Sequence, residues 1–201
     1  MRGLLVKDFY MIRSVVIMMT GVFLVIGAGL SYLVSPQVLL ILATVMTGMV
    51  EASTINMDKA CGWTRLSAAF PVSGERMVSS KYLMYLFLSV FGLLAGTVCS
   101  LTALMVTGTL DYDNFVLFFC ISVTMALLAG SLILPCYFLL SEEKSVMGSM
   151  LTYPLSVALI MGLTSVIRQR MAALSVGMAV GALAFTVSWV IAGKVVAARE
   201  V

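Results

Sequence analysis

The sequence predicts an all-α, polytopic membrane protein with six transmembrane helices and both termini on the cytoplasmic side. Three observations support this class. Hydrophobic residues make up 62% of the 201 residues and charged residues only 10%, whereas soluble domains carry about a quarter charged residues. Six apolar runs are each long enough to cross a hydrocarbon core about 30 Å thick, which needs roughly 20 residues of helix. The basic residues also concentrate on one side of these runs.

The six predicted spans occupy most of the chain, so residues 1–201 are interpreted as a single transmembrane domain. Their predicted bounds are Val15–Val34, Gln37–Asn56, Tyr82–Gly108, Phe115–Leu140, Val146–Ile167 and Met171–Gly193. With the amino terminus inside, ten of the 12 Lys and Arg residues lie in inner segments, and only Arg168 and Arg170 lie outside. This bias predicts that both termini are cytoplasmic.

The composition argues against several functional classes. A net charge of +3 gives no support for nucleic-acid binding. The chain has no histidine, the commonest metal ligand and proton shuttle. Its four cysteines show no C-x-x-C pairing and no metal-ligand spacing. We therefore predict no metal site and no catalytic residue in this chain, and we expect its partner to be the lipid bilayer rather than a nucleic acid.

The first 14 residues carry an apolar stripe ahead of the first span. The stripe has helical spacing and consists of Leu5, Phe9, Ile12 and Val16. A helix of this kind is predicted to lie in the membrane interface with its apolar side in the acyl boundary. The alternative is that residues 1–14 are the charged front end of span one.

Residues 57–81 form the only long connection, and they lie on the predicted inner side. Gly62 permits a turn, and Pro71 ends any helix that follows it. Between them, three apolar residues share one helical face: Trp63, Leu66 and Phe70. This pattern predicts a short amphipathic helix, then a second helix that begins after Ser73 and leads into span three. Its aromatic face suits either the groove of a partner protein or the lipid headgroups.

Glu51 is the only acidic residue within a predicted span, and intramembrane charges commonly mark function. Its position near the inner surface favours an ion pair with a basic residue such as Lys59. A proton-coupling carboxylate is the alternative.

Small residues and prolines indicate how the spans pack. Two Gly-x-x-x-Gly pairs, Gly92/Gly96 and Gly177/Gly181, predict close helix packing within the subunit. Prolines interrupt spans four and five at Pro135 and Pro154. Neighbouring Ser and Thr groups are expected to satisfy the carbonyls that these prolines leave free.

The order of these features resembles the small type-2 ABC transporter permeases of bacteria. The matching segments are Met1–Tyr10, Gly62-Trp63, Phe70-Pro71-Val72-Ser73, Val78 and Lys81-Tyr82, in the context of six spans. The resemblance implies that the first segment is a connecting helix that includes Leu5, Phe9 and Ile12. It also implies a coupling helix that contacts a separate ATPase through Gly62, Trp63, Arg65, Leu66, Phe70 and Pro71.

The implied function is that of a permease subunit of an ABC exporter in the bacterial cytoplasmic membrane. Two permease chains, identical or different, would pair around the substrate path. The chain lacks the G-x-x-x-x-G-K-[ST] phosphate loop, so ATP and Mg²⁺ would bind the partner ATPase and this chain would not be an enzyme. The substrate would be a peptide, a lipid-like molecule or a drug. The alternatives are an ion- or proton-coupled secondary carrier and a membrane anchor or assembly factor that does not transport.

Overall fold

The structure is a computed structural model that describes residues 2–30, 35, 37–63, 74–107, 112–140, 142–167 and 169–199. These residues form six helices: α1 (Arg2–Leu30), α2 (Val38–Ala60), α3 (Gly74–Thr107), α4 (Tyr112–Leu139), α5 (Glu142–Val166) and α6 (Arg170–Arg199). Five helices, α2 to α6, are long and apolar enough to cross a membrane. The all-helical membrane fold is therefore confirmed, whereas the sixth span and the orientation of the termini stay predictions.

The first helix corrects the predicted boundary at residue 14. α1 runs without interruption for 29 residues, so residues 2–14 are the front of the same helix and not a separate one. No proline lies between Arg2 and Leu30 to stop the helix. Whether this front part lies in the membrane interface stays a prediction. By contrast, the helix expected to start after Ser73 does begin at Gly74.

α2 and α4 are the most buried of the five membrane-competent helices. α2 packs along α3 and α4, α6 packs on α3 and α4, and α5 packs mainly on α4. α1 lies against α2 and α3. α2 therefore contacts α1 on one side of the bundle and α4 on the other.

Both glycine pairs bring helices of this chain close together, as predicted. A Cβ atom added to Gly92 of α3 would lie 2.6 Å from the backbone oxygen of Ala43 on α2, and one on Gly96 would lie 3.0 Å from Leu40 Cα. On α6, a Cβ on Gly181 would lie 3.1 Å from Leu127 Cβ of α4. Gly92 and Gly96 thus let α3 approach the backbone of α2, and Gly177 and Gly181 let α6 pack closely on Thr124 and Leu127 of α4.

Pro135 lies inside α4 and has no N–H for the carbonyl of Ser131, four residues earlier. Ser188 Oγ of α6 donates to that carbonyl at 2.7 Å. The Tyr82 hydroxyl of α3 lies 2.8 Å from the same Ser188 Oγ. The prediction that a nearby hydroxyl satisfies the free carbonyl is confirmed at this proline, and the bond joins α4 to α6.

Candidate functional site

Three helices bring five charged side chains together at the end of the bundle where α2 ends and α3 begins. This charge cluster consists of Lys7 and Asp8 of α1, Glu51 and Asp58 of α2, and Lys81 of α3. Glu51 and Asp58 are seven residues apart, two helical turns, so they share the face of α2 that meets α1 and α3. Ion pairs therefore cross from α2 to both neighbouring helices.

Lys81 is the centre of the charge cluster. Its Nζ donates to Asp8 Oδ1 at 2.9 Å, and it lies 2.8 Å from Asp58 Oδ2 and 3.5 Å from Glu51 Oε1. The Lys81 side chain is only 4% exposed. Thr54 completes the shell, since its Oγ1 accepts from Lys81 Nζ at 3.1 Å and donates to Glu51 Oε1 at 3.0 Å. One ammonium group thus holds a carboxylate from α1 and two from α2.

Lys7 connects the charge cluster to the connection that follows α2. Its Nζ donates to Asp58 Oδ1 at 2.6 Å and lies 3.5 Å from Asp8 Oδ1. The same Nζ lies 4.3 Å from the centroid of the Trp63 ring, within the range of a cation–π contact. Trp63 is thereby one contact away from the buried acids.

The charge cluster holds three carboxylates and two ammonium groups. With all five ionised, its net charge is −1, and Glu51 Oε2 has no hydrogen-bond partner among the described residues. Buried charges are tolerated only when they are paired, and removing one partner of a buried pair typically costs about 3–5 kcal/mol. Removal of either ammonium group would therefore leave buried carboxylates without a counter-charge.

Lys59 links α2 to the opposite side of the bundle. Its Nζ donates to the backbone oxygen of Tyr137 and, at 3.2 Å, to that of Leu140. These oxygens belong to the last turn of α4 and the residue after it, where carbonyls lack partners within the helix and favour a cation. The consecutive residues Asp58 and Lys59 thus tie the end of α2 to α1 and α3 on one side and to α4 on the other.

Gly62 forms the turn expected of it directly after α2. Its φ is +70°, the left-handed region that glycine adopts most readily. The Gly62 N–H donates to the Lys59 oxygen at 3.1 Å and the Cys61 N–H to the Met57 oxygen at 2.9 Å. The turn directs Trp63 toward Lys7. Four other residues predicted to contact a partner, Arg65, Leu66, Phe70 and Pro71, lie outside the described residues, and their roles stay predictions.

The apolar stripe of α1 faces the bundle more than was expected of an interfacial helix. Ile12 is buried in a cluster with Val50, Met84 and Leu88, and Leu5 packs against that cluster. Phe9 is 50% exposed. Ile12 therefore packs on α2 and α3, and the location of the stripe in the acyl boundary stays a prediction.

Glu51 is fully buried, but Lys59 is not its partner. Eight residues separate Glu51 from Lys59, about 12 Å along the helix, whereas Lys81 reaches Glu51 from α3 at 3.5 Å. Four members of the charge cluster were not predicted as site residues, because each lies in a polar segment of the sequence: Lys7, Asp8, Asp58 and Lys81. The seven-residue spacing of Glu51 and Asp58 was the one local signal.

The family described as ABC-2 family transporter protein matches residues 3–197, nearly the whole chain. No curated protein and no solved structure matches the chain. No group of residues able to hold a metal ion is found in the described part of the chain.

Proposed function

We propose that the chain is the membrane subunit of an ATP-driven exporter, because it belongs to the ABC-2 family of transporter proteins. It is a multi-pass membrane permease of that family. In this proposal a separately encoded ABC ATPase contacts the segment from Gly62 to Pro71. ATP and Mg²⁺ bind that ATPase and not this chain. The helices of this chain carry the substrate path.

The observation that carries the proposal is the contact between Trp63 and the charge cluster. Trp63 opens the segment that we propose as the docking element, and Lys7 Nζ lies 4.3 Å from its ring. Lys7 in turn pairs with Asp58 at 2.6 Å. A force on Trp63 would therefore act on α1 and α2 without passing through a flexible link.

Three helices would move together because Lys81 joins them. Its ion pairs to Asp8 and Asp58 are 2.9 Å and 2.8 Å long, so α3 is held to both α1 and α2 at this end. Separating them would expose buried charges, which is costly in an apolar surrounding. The charge cluster supports a role as a rigid joint that converts ATPase movement into a tilt of α1, α2 and α3.

Lys59 supports a second path from the same segment. It lies three residues before Gly62 and holds the carbonyls that end α4. The α4–α5 connection follows directly, between Leu139 and Glu142. Movement at the end of α2 would thus also reach the second half of the bundle, as a rocking mechanism requires.

The remaining features of the proposal follow the sequence analysis. They are six spans with both termini cytoplasmic, the bacterial cytoplasmic membrane as location, and pairing with a second permease chain, identical or different. The substrate would be a peptide, a lipid-like molecule or a drug, since an apolar bundle suits amphipathic molecules.

Co-purification tests the proposal. The chain is tagged and co-expressed with candidate ABC ATPases that carry a Walker motif, then extracted in mild detergent. Replacing Trp63, Leu66 and Phe70 together by Glu is expected to remove the ATPase from the purified complex. Tyr112→Glu is the matched control, because this aromatic residue is 73% exposed at the start of α4, away from the charge cluster. An ATPase that stays bound to the triple variant as to the wild type would contradict the proposal.

The alternative of an ion- or proton-coupled carrier rests on Glu51, whose Oε2 has no hydrogen-bond partner among the described residues. A carrier would transport in vesicles without ATP whenever an ion gradient is present. The exporter would require ATP and would be insensitive to dissipation of the gradient. The pairing of Glu51 with Lys81 in one cluster with Asp58 supports a structural role and favours the exporter.

A further inference from the structure

A groove on the outer surface of the helix bundle lies between α1 and α3. It is next to the charge cluster but separate from it. Its volume is about 650 Å³, in the range of small-molecule sites. The lining residues are Leu5, Val6, Phe9, Tyr10 and Arg13 of α1 and Leu83, Met84 and Phe87 of α3. Most of these side chains are apolar or aromatic, so the occupant must offer an apolar body.

Among the described residues, Arg13 is the one charged residue that lines the groove. Its guanidinium lies 5.3 Å from the centroid of the Tyr10 ring, and it forms no ion pair with an acidic side chain of the described residues. The other cations of this region, Lys7 and Lys81, are already held by carboxylates. A cation without a counter-ion beside an apolar groove indicates an occupant that also carries a negative charge.

The position of the groove along the helices identifies that occupant. α1 and α3 run in the same direction, since Asp8 pairs with Lys81 and Ile12 packs with Leu88. Arg13 lies five residues beyond Asp8, about 7.5 Å deeper along α1. Residues 14–30 contain no charged side chain. Arg13 therefore marks the border between the charged and apolar parts of α1, where an arginine can extend its head group back to the membrane surface.

We propose that this groove binds one molecule of an anionic glycerophospholipid from the leaflet on the side of the charge cluster. Its phosphate lies against the Arg13 guanidinium beside Tyr10, and one acyl chain lies along Phe9, Met84 and Phe87. Arginine donates two parallel hydrogen bonds to a phosphate, a geometry that lysine lacks. The proposal depends on the membrane location of the chain and not on its coupling to an ATPase.

Photolabelling tests the proposal on the full chain in lipid nanodiscs. Two diazirine probes with identical acyl chains are compared at equal mole fraction, one with a phosphatidylglycerol and one with a phosphatidylcholine head group. Mass spectrometry then quantifies adducts on peptides containing residues 5–13 and 83–87. The wild type is expected to favour the anionic probe about fivefold, since one basic residue near an anionic surface contributes about 1 kcal/mol.

Arg13→Gln is expected to reduce this preference to about one. Arg76→Gln, an exposed arginine near the start of α3, is the matched control and retains the preference. Leu83→Trp narrows the groove without changing its charge, so it is expected to lower labelling by both probes and keep their ratio. Each variant is checked for a monodisperse elution profile before labelling.

Three results would overturn the proposal. The first is equal labelling by the two probes in the wild type, and the second is a preference that survives Arg13→Gln. The third is efficient disulfide cross-linking between two Leu83→Cys chains in native membranes, because the groove would then be covered by a second copy of this chain.

Discussion

Lys81 and Tyr82, two neighbouring residues of α3, are both buried. Lys81 contacts charged side chains, whereas Tyr82 contacts aromatic side chains. Lys81 lies in the charge cluster and faces α1 and α2. Tyr82 faces α6, where its ring lies 5.2 Å from the Phe185 centroid and 6.0 Å from the Trp189 centroid. We call this second region the neutral core; it comprises Tyr82, Tyr85, Phe185 and Trp189, whose rings are in contact.

This difference would allow α3 to be firmly packed on one side and to transmit movement on the other. The neutral core is stabilised by many small, non-directional contacts, whose loss is graded. The charge cluster depends on a few buried ion pairs. Removing one partner of such a pair leaves an unpaired buried charge, which is strongly destabilising. We infer that the cluster side acts as the joint and the neutral core as the support. Three substitutions test that division.

The largest effect is expected for Lys81→Met. The substitution leaves the carboxylates of Asp8, Glu51 and Asp58 buried with only Lys7 to balance them. A loss of about 3–5 kcal/mol in the free energy of unfolding is expected, as for other broken buried pairs. Unfolding of the detergent-solubilised chain, followed by tryptophan fluorescence in denaturant, measures it.

Arg76→Met is the control for Lys81→Met, because Arg76 lies on the same helix and is exposed. Its cost should stay within the 0–1 kcal/mol or so of a surface charge. A similarly small cost for Lys81→Met would show that water reaches the charge cluster and that it is not a rigid joint.

A medium effect is expected for Gly130→Ala on α4, next to the neutral core. A Cβ at Gly130 would lie 2.8 Å from Tyr85 Cζ and 2.9 Å from Phe185 Cε2, so both rings must shift. Overpacking of this kind typically costs about 1–3 kcal/mol. Gly193→Ala on α6 is the control, since nothing lies within 4 Å of a Cβ there, and helix propensity alone should make it neutral or slightly stabilising. Equal unfolding free energies for the two variants would contradict the packing described for the neutral core.

Sequence reasoning predicted the parts of this protein that depend on local patterns. Apolar runs locate the membrane-competent helices, Gly62 locates the turn, and the glycine pairs locate the close helix contacts. Each of these signals comes from residues near one another in the chain. The start of α3 at Gly74 was predicted in the same way, from the proline and serine that precede it.

The charge cluster was not predictable by those means. Lys7 and Asp58 are 51 residues apart and Asp8 and Lys81 are 73 residues apart, so no helical or strand period relates them. In the sequence, Lys81 is one of the basic residues of the predicted inner loop. Only the packing of α1, α2 and α3 buries it among three carboxylates. The continuous course of α1 was given only as the alternative for a related reason: its first 14 residues are polar enough to suggest a boundary, but they contain no residue that ends a helix.

The smallest effect on stability is expected for Trp63→Leu. This substitution distinguishes most clearly between a role in ATPase docking and a role in stability. The substitution removes the cation–π contact with Lys7, worth about 0.5–1 kcal/mol at a partly exposed site. Lys7 keeps its 2.6 Å ion pair with Asp58, so the charge cluster remains balanced. Unfolding should therefore stay close to wild type, whereas ATPase recovery in co-purification should fall if Trp63 is a docking residue. A loss of stability as large as that of Lys81→Met would instead make Trp63 a structural member of the charge cluster. That result would contradict the proposal that Trp63 transmits force from the ATPase to α1 and α2.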